Sequence, residues 1–196
     1  MARVTVITDG SADNITGTGG WAAIVRSPSE LVEVVGCATG TTSNRMELTA
    51  AIEGLRSVKE PSEIDLVADS AYVLNTIKNG WYHKWLTEVR AVPRPNLDLW
   101  MQLIGLLNYH DVRTVKVKGH SGDYWNERAD RLADHARRNS HSATTTIENW
   151  EEGLRCMSQS PSKKLCRLHL GHDGGHQYRT TGTEIYGGEI NSYTTS

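Results

Sequence analysis

Apolar and polar positions along the chain predict an alternation of short strands and amphipathic helices. Over Arg3–Thr8, Val4 and Val6 alternate with Thr5 and Ile7, which reads as a strand ending on Asp9-Gly10-Ser11. The Gly-rich turn Gly17-Thr18-Gly19-Gly20 leads into a second strand, Trp21–Arg26. Pro28 and Ser29 mark a hairpin turn before a third, Leu31–Ala38. Leu48, Ala51, Ile52 and Leu55 then recur at helical spacing, with Ser43 or Asn44 available as the cap. After Pro61, Ile64–Ala68 is a short apolar strand ending on Asp69-Ser70. A helix through Tyr72, Val73 and Ile77 stops at Asn79-Gly80, and Trp81–Val89 reads as another short helix. Past the loop Val92-Pro93-Arg94-Pro95, Leu97, Trp100, Ile104 and Leu107 stripe one helix face. Val112–Lys118 alternates as a last strand, and Ala129, Leu132, Ala133 and Ala136 line the closing helix. A meander followed by βα crossovers predicts an α/β fold: a mixed five-stranded sheet with helices on both faces.

The pattern changes at the end of that helix. Residues 1–138 read as one domain and 139–153, which include Ser140-His141-Ser142-Ala143-Thr144-Thr145-Thr146, as a polar linker. Residues 154–180 read as a small Cys/His segment and 181–196 as a flexible Gly/Thr/Ser tail.

Composition narrows the class. Among 196 residues, 38% hydrophobic and 22% charged describe a globular chain able to bury a core. No apolar run approaches the length of a membrane span, and the first residues lack the apolar segment of a signal peptide, so the expected location is the cytoplasm. Cys37, Cys156 and Cys166 are too scattered for a disulfide framework. A net charge of −2 argues against a broadly basic nucleic-acid binder, so any phosphate-binding charge must be local or supplied by metal ions.

The acidic residues change that picture. Asp9 and Asp69 sit at strand ends, Glu47 is expected in the first turn of the helix between them, and Asp130 lies in the last helix. Each alone also suits a turn, a cap or a solvated helix position. Jointly they fall at one edge of an α/β sheet, where sites are commonly built. Converging carboxylates repel one another unless cations neutralise them, and hard oxygen ligands suit Mg²⁺ or Mn²⁺. Two such ions about 4 Å apart activate a water and stabilise the leaving oxygen in phosphoryl transfer. His120, in the loop Gly119-His120-Ser121-Gly122, has a side chain suited to proton transfer or product release.

Five blocks of this sequence resemble ribonuclease H type 1. They are Ile7–Ser11, Thr42–Leu48, Asp69–Val73, Lys118–Gly122 and Asn126–Ala133, in the family's order and near its spacings. The resemblance implies a ribonuclease H-like fold and hydrolysis of the RNA strand of RNA–DNA hybrids, giving 5′-phosphate and 3′-hydroxyl ends. It implies Asp9, Glu47, Asp69 and Asp130 as ligands of two Mg²⁺ or Mn²⁺ ions, and His120 as the mobile catalytic histidine. Asn44 and Asn75 are the implied readers of 2′-hydroxyls, and Thr42 part of a DNA-phosphate pocket. Trp81 and Trp85 fall in the segment of the DNA-strand channel and handle, although two Trp at this spacing more often pack in a core, and Trp85 at least is expected to do so in part. The chain departs from the family at Ile15, where Asn14 is the available substitute for a contacting Asn, at Ala71, and in a short handle, Tyr82–Pro95. The alternative reading is a catalytically weak nucleic-acid-binding module on the same fold. The expected assembly state is a monomer.

In the tail, Cys156, Cys166, His172 and His176 follow the pattern C-x9-C-x5-H-x3-H, with His169 as a substitute ligand. The Cys pair is wider than in common zinc sites, yet so small a segment needs a metal or cross-link to fold, so a structural Zn²⁺ is expected. Arg155, Lys163, Lys164 and Arg167 make the segment basic, which suits either hybrid binding or protein docking.

Overall fold

The computed structural model describes residues 3–85, 94–148, 183–186 and 189–192. The chain runs β1 (Val4–Ala12), β2 (Gly19–Arg26), β3 (Glu30–Ala38), α1 (Ser43–Ser57), β4 (Glu63–Ala68), α2 (Ala71–Lys78) and α3 (Trp81–Trp85). It continues through α4 (Leu97–Tyr109), β5 (Asp111–Lys116), α5 (Tyr124–Asn139) and β6 (Ala143–Glu148), with β7 (Thr183–Tyr186) and β8 (Glu189–Ser192) beyond. Strands β1 to β6 form one mixed sheet in the order β5-β4-β1-β2-β3-β6. The meander β1-β2-β3 is antiparallel, and β4 and β5 add in parallel on the other side of β1.

Both sheet faces are buried, and strand alternation separates two cores. Val6, Val25, Ile64 and Leu66 face α1, α2 and α4, where they pack with Leu48, Ile52, Leu55, Val73, Leu74, Trp100 and Leu103. Ile7, Ile24, Leu31 and Val35 face α5 and meet Ala129, Leu132, Ala133 and Ala136. The small residues on α5 let that helix lie close on the sheet.

The five expected strands are present, and the sheet has a sixth. Residues 143–148, expected within a linker, form β6 and pair antiparallel with β3 along its length. Thr144, Thr145, Thr146 and Ile147 are β-branched, and this preference outweighs their small, polar character. In the expected flexible tail, β7 and β8 pair antiparallel as a separate ribbon. They flank Gly187-Gly188, a hairpin signal. Strand β1 runs three residues past Asp9, still paired with β2, so Asp9 lies within the strand and not at its end. The cap of α1 is Thr42, whose side chain accepts from the Arg45 N–H, rather than Ser43 or Asn44. That shift puts Glu47 just beyond the first helical turn.

Helix α3 is described as far as Trp85, so the expected helix to Val89 and the loop at Val92-Pro93 fall outside the described residues. Among the described residues no helix is long and apolar enough to cross a membrane. Cys156, Cys166, His169, His172 and His176 lie outside the described residues.

Candidate active site

Strand register assembles the acidic edge. Ile7 lies opposite Val67 in the parallel β1–β4 ladder, and continuing that register places Asp9 beside Asp69. On the helical side, α1 rests directly on Gly10: a Cβ there would stand 2.3 Å from the Glu47 backbone nitrogen. This backbone-on-backbone contact brings Glu47 to Asp9. As a result, carboxylate oxygens of Asp9, Glu47 and Asp69 all lie within 4.8 Å of one another. Asp130 arrives on α5, outside this group of three but close enough to raise the Asp9 pKa.

The loop after β5 closes the site on the other side. Val117 N–H donates to the Ala68 carbonyl at 3.0 Å, carrying the chain past Asp69. Gly119 packs so tightly there that a Cβ would stand 2.6 Å from Asp69 Oδ2. His120 follows, exposed, with φ of 52°. It lies near enough to Asp9 to favour the charged carboxylate.

Burial and repulsion make Asp9 and Glu47 weak acids. Asp9 is 7% exposed, and burial, then Asp69, then Asp130 push its pKa up to about 7. Burial, then Asp9 and Asp69, push Glu47 up to about 9. Glu47 Oε2 is enclosed and has no hydrogen-bond partner among the described residues. An unpaired buried carboxylate oxygen beside two more carboxylates fits a hard divalent cation, which replaces the protons and supplies the missing partner.

Two further interactions hold the elements that carry these groups. Arg128 on α5 forms a buried, two-point ion pair with Glu33 on β3, one bond running from Nη2 to Oε2 at 2.9 Å. Arg45 on α1 binds Asp98 at 2.6 and 3.0 Å and Asn96 at 3.4 Å. Asn96 in turn donates to Tyr72 Oη at 3.1 Å, as does Trp100 Nε1 at 3.0 Å. The start of α4 is thereby tied to α1 and α2. Glu33 had a visible signal, a charge at an inward position between Leu31 and Val35. The glycine contacts at 10 and 119 had none, since they depend on tertiary approach.

The remaining expected site residues divide by exposure. Asn14, Thr42, Asn44 and Asn75 are all exposed, as is Trp81 at 49%. Trp85 packs instead against the core, edge-on to Trp100 at 5.2 Å, with the Arg94 guanidinium 4.9 Å from its ring centre. Ile15 projects from the β1–β2 turn, 96% exposed. Asp13 stiffens this turn by accepting from the N–H groups of Ile15 at 2.8 Å and Thr16 at 3.3 Å.

Comparison with known proteins gives the family. The sequence model of the RNase H family matches residues 1–138. The ribonuclease H of Chlorobium chlorochromatii is 46% identical over 138 residues, covering 68% of this chain and 94% of the relative. That of Acetivibrio thermocellus is 42% identical over 145 residues, covering 71% of this chain and 99% of the relative. Among solved structures, a type 1 RNase H with the type 2 active-site motif superposes with a TM-score of 0.67 at 24% identity, covering 87% of this chain and 88% of that one. The N-terminal RNase H domain of rv2228c from Mycobacterium tuberculosis gives 0.58 at 23% identity, covering 71% and 96%. At these identities the two structures speak for the fold alone.

Proposed function

Because the chain belongs to the RNase H family, we propose that it is an endoribonuclease hydrolysing the RNA strand of RNA–DNA hybrids, leaving 5′-phosphate and 3′-hydroxyl ends. The observation that carries the reading is the convergence of Asp9, within β1, Asp69, just after β4, and Glu47 on α1, with carboxylate oxygens within 4.8 Å of one another.

Asp9, Glu47, Asp69 and Asp130 are the residues to hold two Mg²⁺ or Mn²⁺ ions. When bound, such ions supply Lewis-acid activation of water and charge neutralisation at the scissile phosphate. The protein's own part is to present these carboxylates preorganised, at the cost of their repulsion, so that Asp9 and Glu47 exchange protons for cations on loading. His120, exposed on its loop beside Asp9, holds or moves a proton during phosphate release.

Selection of a hybrid requires reading 2′-hydroxyls on one strand and deoxyribose on the other. Asn44 and Thr42 precede Glu47 on α1 and at its cap, so the exposed Asn44 amide is the leading 2′-hydroxyl reader, with Thr42 toward a DNA phosphate. Asn75 and Asn14 add exposed amides. Trp81 offers an open ring to the DNA strand, while Trp85 serves chiefly as its packed base. Cys156, Cys166, His172 and His176 are proposed ligands of a structural Zn²⁺. The basic tail around them adds affinity for the hybrid or for a protein partner. Their spacing and charge support this reading.

The test is incubation of the full chain with labelled RNA–DNA hybrid, duplex RNA, duplex DNA and single strands, with Mg²⁺, Mn²⁺ or EDTA. Cutting confined to hybrid RNA and abolished by EDTA is expected. Cleavage that survives Asp9→Asn overturns the assignment of the acidic centre.

A further inference from the structure

Residues 117–123 hold His120 in a conformation that its own backbone disfavours. His120 has φ of 52° and Gly122 φ of 85°, and only glycine adopts this left-handed region without strain. One contact within the loop closes it around His120, but does not tie it to the rest of the molecule. Ser121 Oγ donates to the Lys118 carbonyl at 2.6 Å, a bond closed on the loop itself. Asp123 caps α5 by accepting from Asn126 N–H at 2.9 Å and reaches forward, away from His120. The tie from α5 back to the loop is Glu127, whose Oε1 accepts from the Gly122 N–H at 3.0 Å.

We propose that Glu127 is a positioning residue that latches the β5–α5 loop, keeping His120 beside the acidic cluster. A charge-assisted hydrogen bond is comparable in strength to the cost of one non-glycine residue in the left-handed region. The latch is therefore of the right size to offset the strain at His120. Gly119, wedged on Asp69, fixes the near end of the loop, and Glu127 fixes the far end. His120 lies between the two anchors. A carboxylate in the first turn of α5 also favours the helix as such, but that effect acts on stability and has no reason to depend on His120.

The inference rests on the hydrolase reading above, and two measurements separate them. With the full chain and Mg²⁺, Glu127→Ala is expected to lower kcat about tenfold, within the range that a mispositioned proton-transfer group loses, with KM changed less than about twofold. Glu127→Gln, which keeps an acceptor, is expected to recover most of the loss. In a His120→Ala background, Glu127→Ala is expected to have almost no further effect, because the latch acts through His120. Multiplicative losses in the double variant overturn the proposal. In the metal-free full chain, the His120 imidazole resonances are expected to shift in Glu127→Ala and to stay near the parent position in Glu127→Gln. An unshifted His120 in Glu127→Ala overturns the latch, even for a chain that fails to cut hybrid and so refutes only the hydrolase reading.

Discussion

Gly10 and Glu47 meet backbone to backbone: a Cβ on Gly10 would stand 2.3 Å from the Glu47 nitrogen and equally close to the Met46 carbonyl carbon. The contact seats α1 on β1 at the acidic edge, beside Asp9 on the strand and at Glu47 on the helix, and so holds the two carboxylates near each other. Neither atom belongs to a flexible side chain, so an added methyl must push the helix away. Gly10→Ala is expected to cost about 2–3 kcal/mol, the range for overpacking a tight interior. Thermal melting checks the stability. A Mg²⁺ titration is expected to show weaker binding, because the two ligands separate.

The metal-free protein is expected to lose stability as pH rises. Folding raises the Asp9 pKa from 3.8 to about 7 and the Glu47 pKa from 4.5 to about 9, so the folded chain holds more protons than the unfolded chain across that window. Stability contributed by the protonated pair is present below the unfolded values and is lost as pH climbs through the folded ones. Melting in EDTA at pH 5.5 and pH 8.5 checks this. Asp9→Asn, which removes one charge from the cluster, is expected to melt higher than the parent at pH 8.5 in EDTA.

Cation loading is expected to release protons near neutral pH. In the metal-free state at pH 7 Glu47 carries its proton and Asp9, with a pKa of about 7, is partly protonated, whereas both bind cations as carboxylates. Apparent Mg²⁺ affinity then rises between pH 6 and pH 9. Calorimetry in two buffers of different ionisation enthalpy gives the proton count directly, and a count of zero at pH 7 contradicts the raised values.

Glu33 and Arg128 form a pair that is costly to break from one side only. Both side chains are almost fully buried, 3% and 5% exposed, and their bond joins β3 to the helix carrying Asp130. Glu33→Ala leaves a guanidinium buried without its counter-charge and is expected to cost about 3–5 kcal/mol. Replacing both, Glu33→Leu with Arg128→Met, is expected to recover most of that loss, since burying two charges carries its own desolvation cost. Urea unfolding of the two single variants and the double variant checks the pattern.

The acidic edge was legible in the sequence because each of its carboxylates follows a local marker. Asp9 precedes Gly10-Ser11, Asp69 closes an apolar run, and Glu47 stands between the buried Met46 and Leu48. What was not legible depends on approach between distant segments. Nothing near Gly10 or Gly119 announces that α1 or Asp69 will press against it. Trp81 and Trp85 share one spacing that suits core packing, and Trp85 does pack on Trp100, but only the fold shows that Trp81 stays open. The Thr-rich run at 144–146 was misread for a different reason: it is polar, and its β-branching counts only because the β3 edge is there to pair with.

That sixth strand gives the last prediction. Ala143 and Ile147 pack on the same core as Leu31 and Val35, and β6 pairs with β3 from Val35↔Ala143 to Glu30↔Glu148. Ending the chain after Glu148 keeps these contacts, whereas ending it after His141 strips a full strand and bares the apolar β3 edge, Leu31-Val32-Glu33-Val34-Val35. The strand's hydrogen bonds and the Ile147 burial, less the entropy of ordering six residues, leave a net contribution of roughly 2 kcal/mol. The shorter chain is therefore expected to unfold at lower urea and to associate through the exposed edge, seen by light scattering. Because β6 runs antiparallel to β3, it leads away from the end of β3 that feeds α1 and Glu47. Glu148, paired with Glu30, thus lies at the opposite end of the sheet from the acidic cluster. Ending the chain after Glu148 is expected to leave kcat unchanged and to raise KM for hybrid where the basic Cys/His segment, with Arg155, Lys163, Lys164 and Arg167, grips nucleic acid. A fall in kcat with KM unchanged contradicts that separation of cutting from gripping.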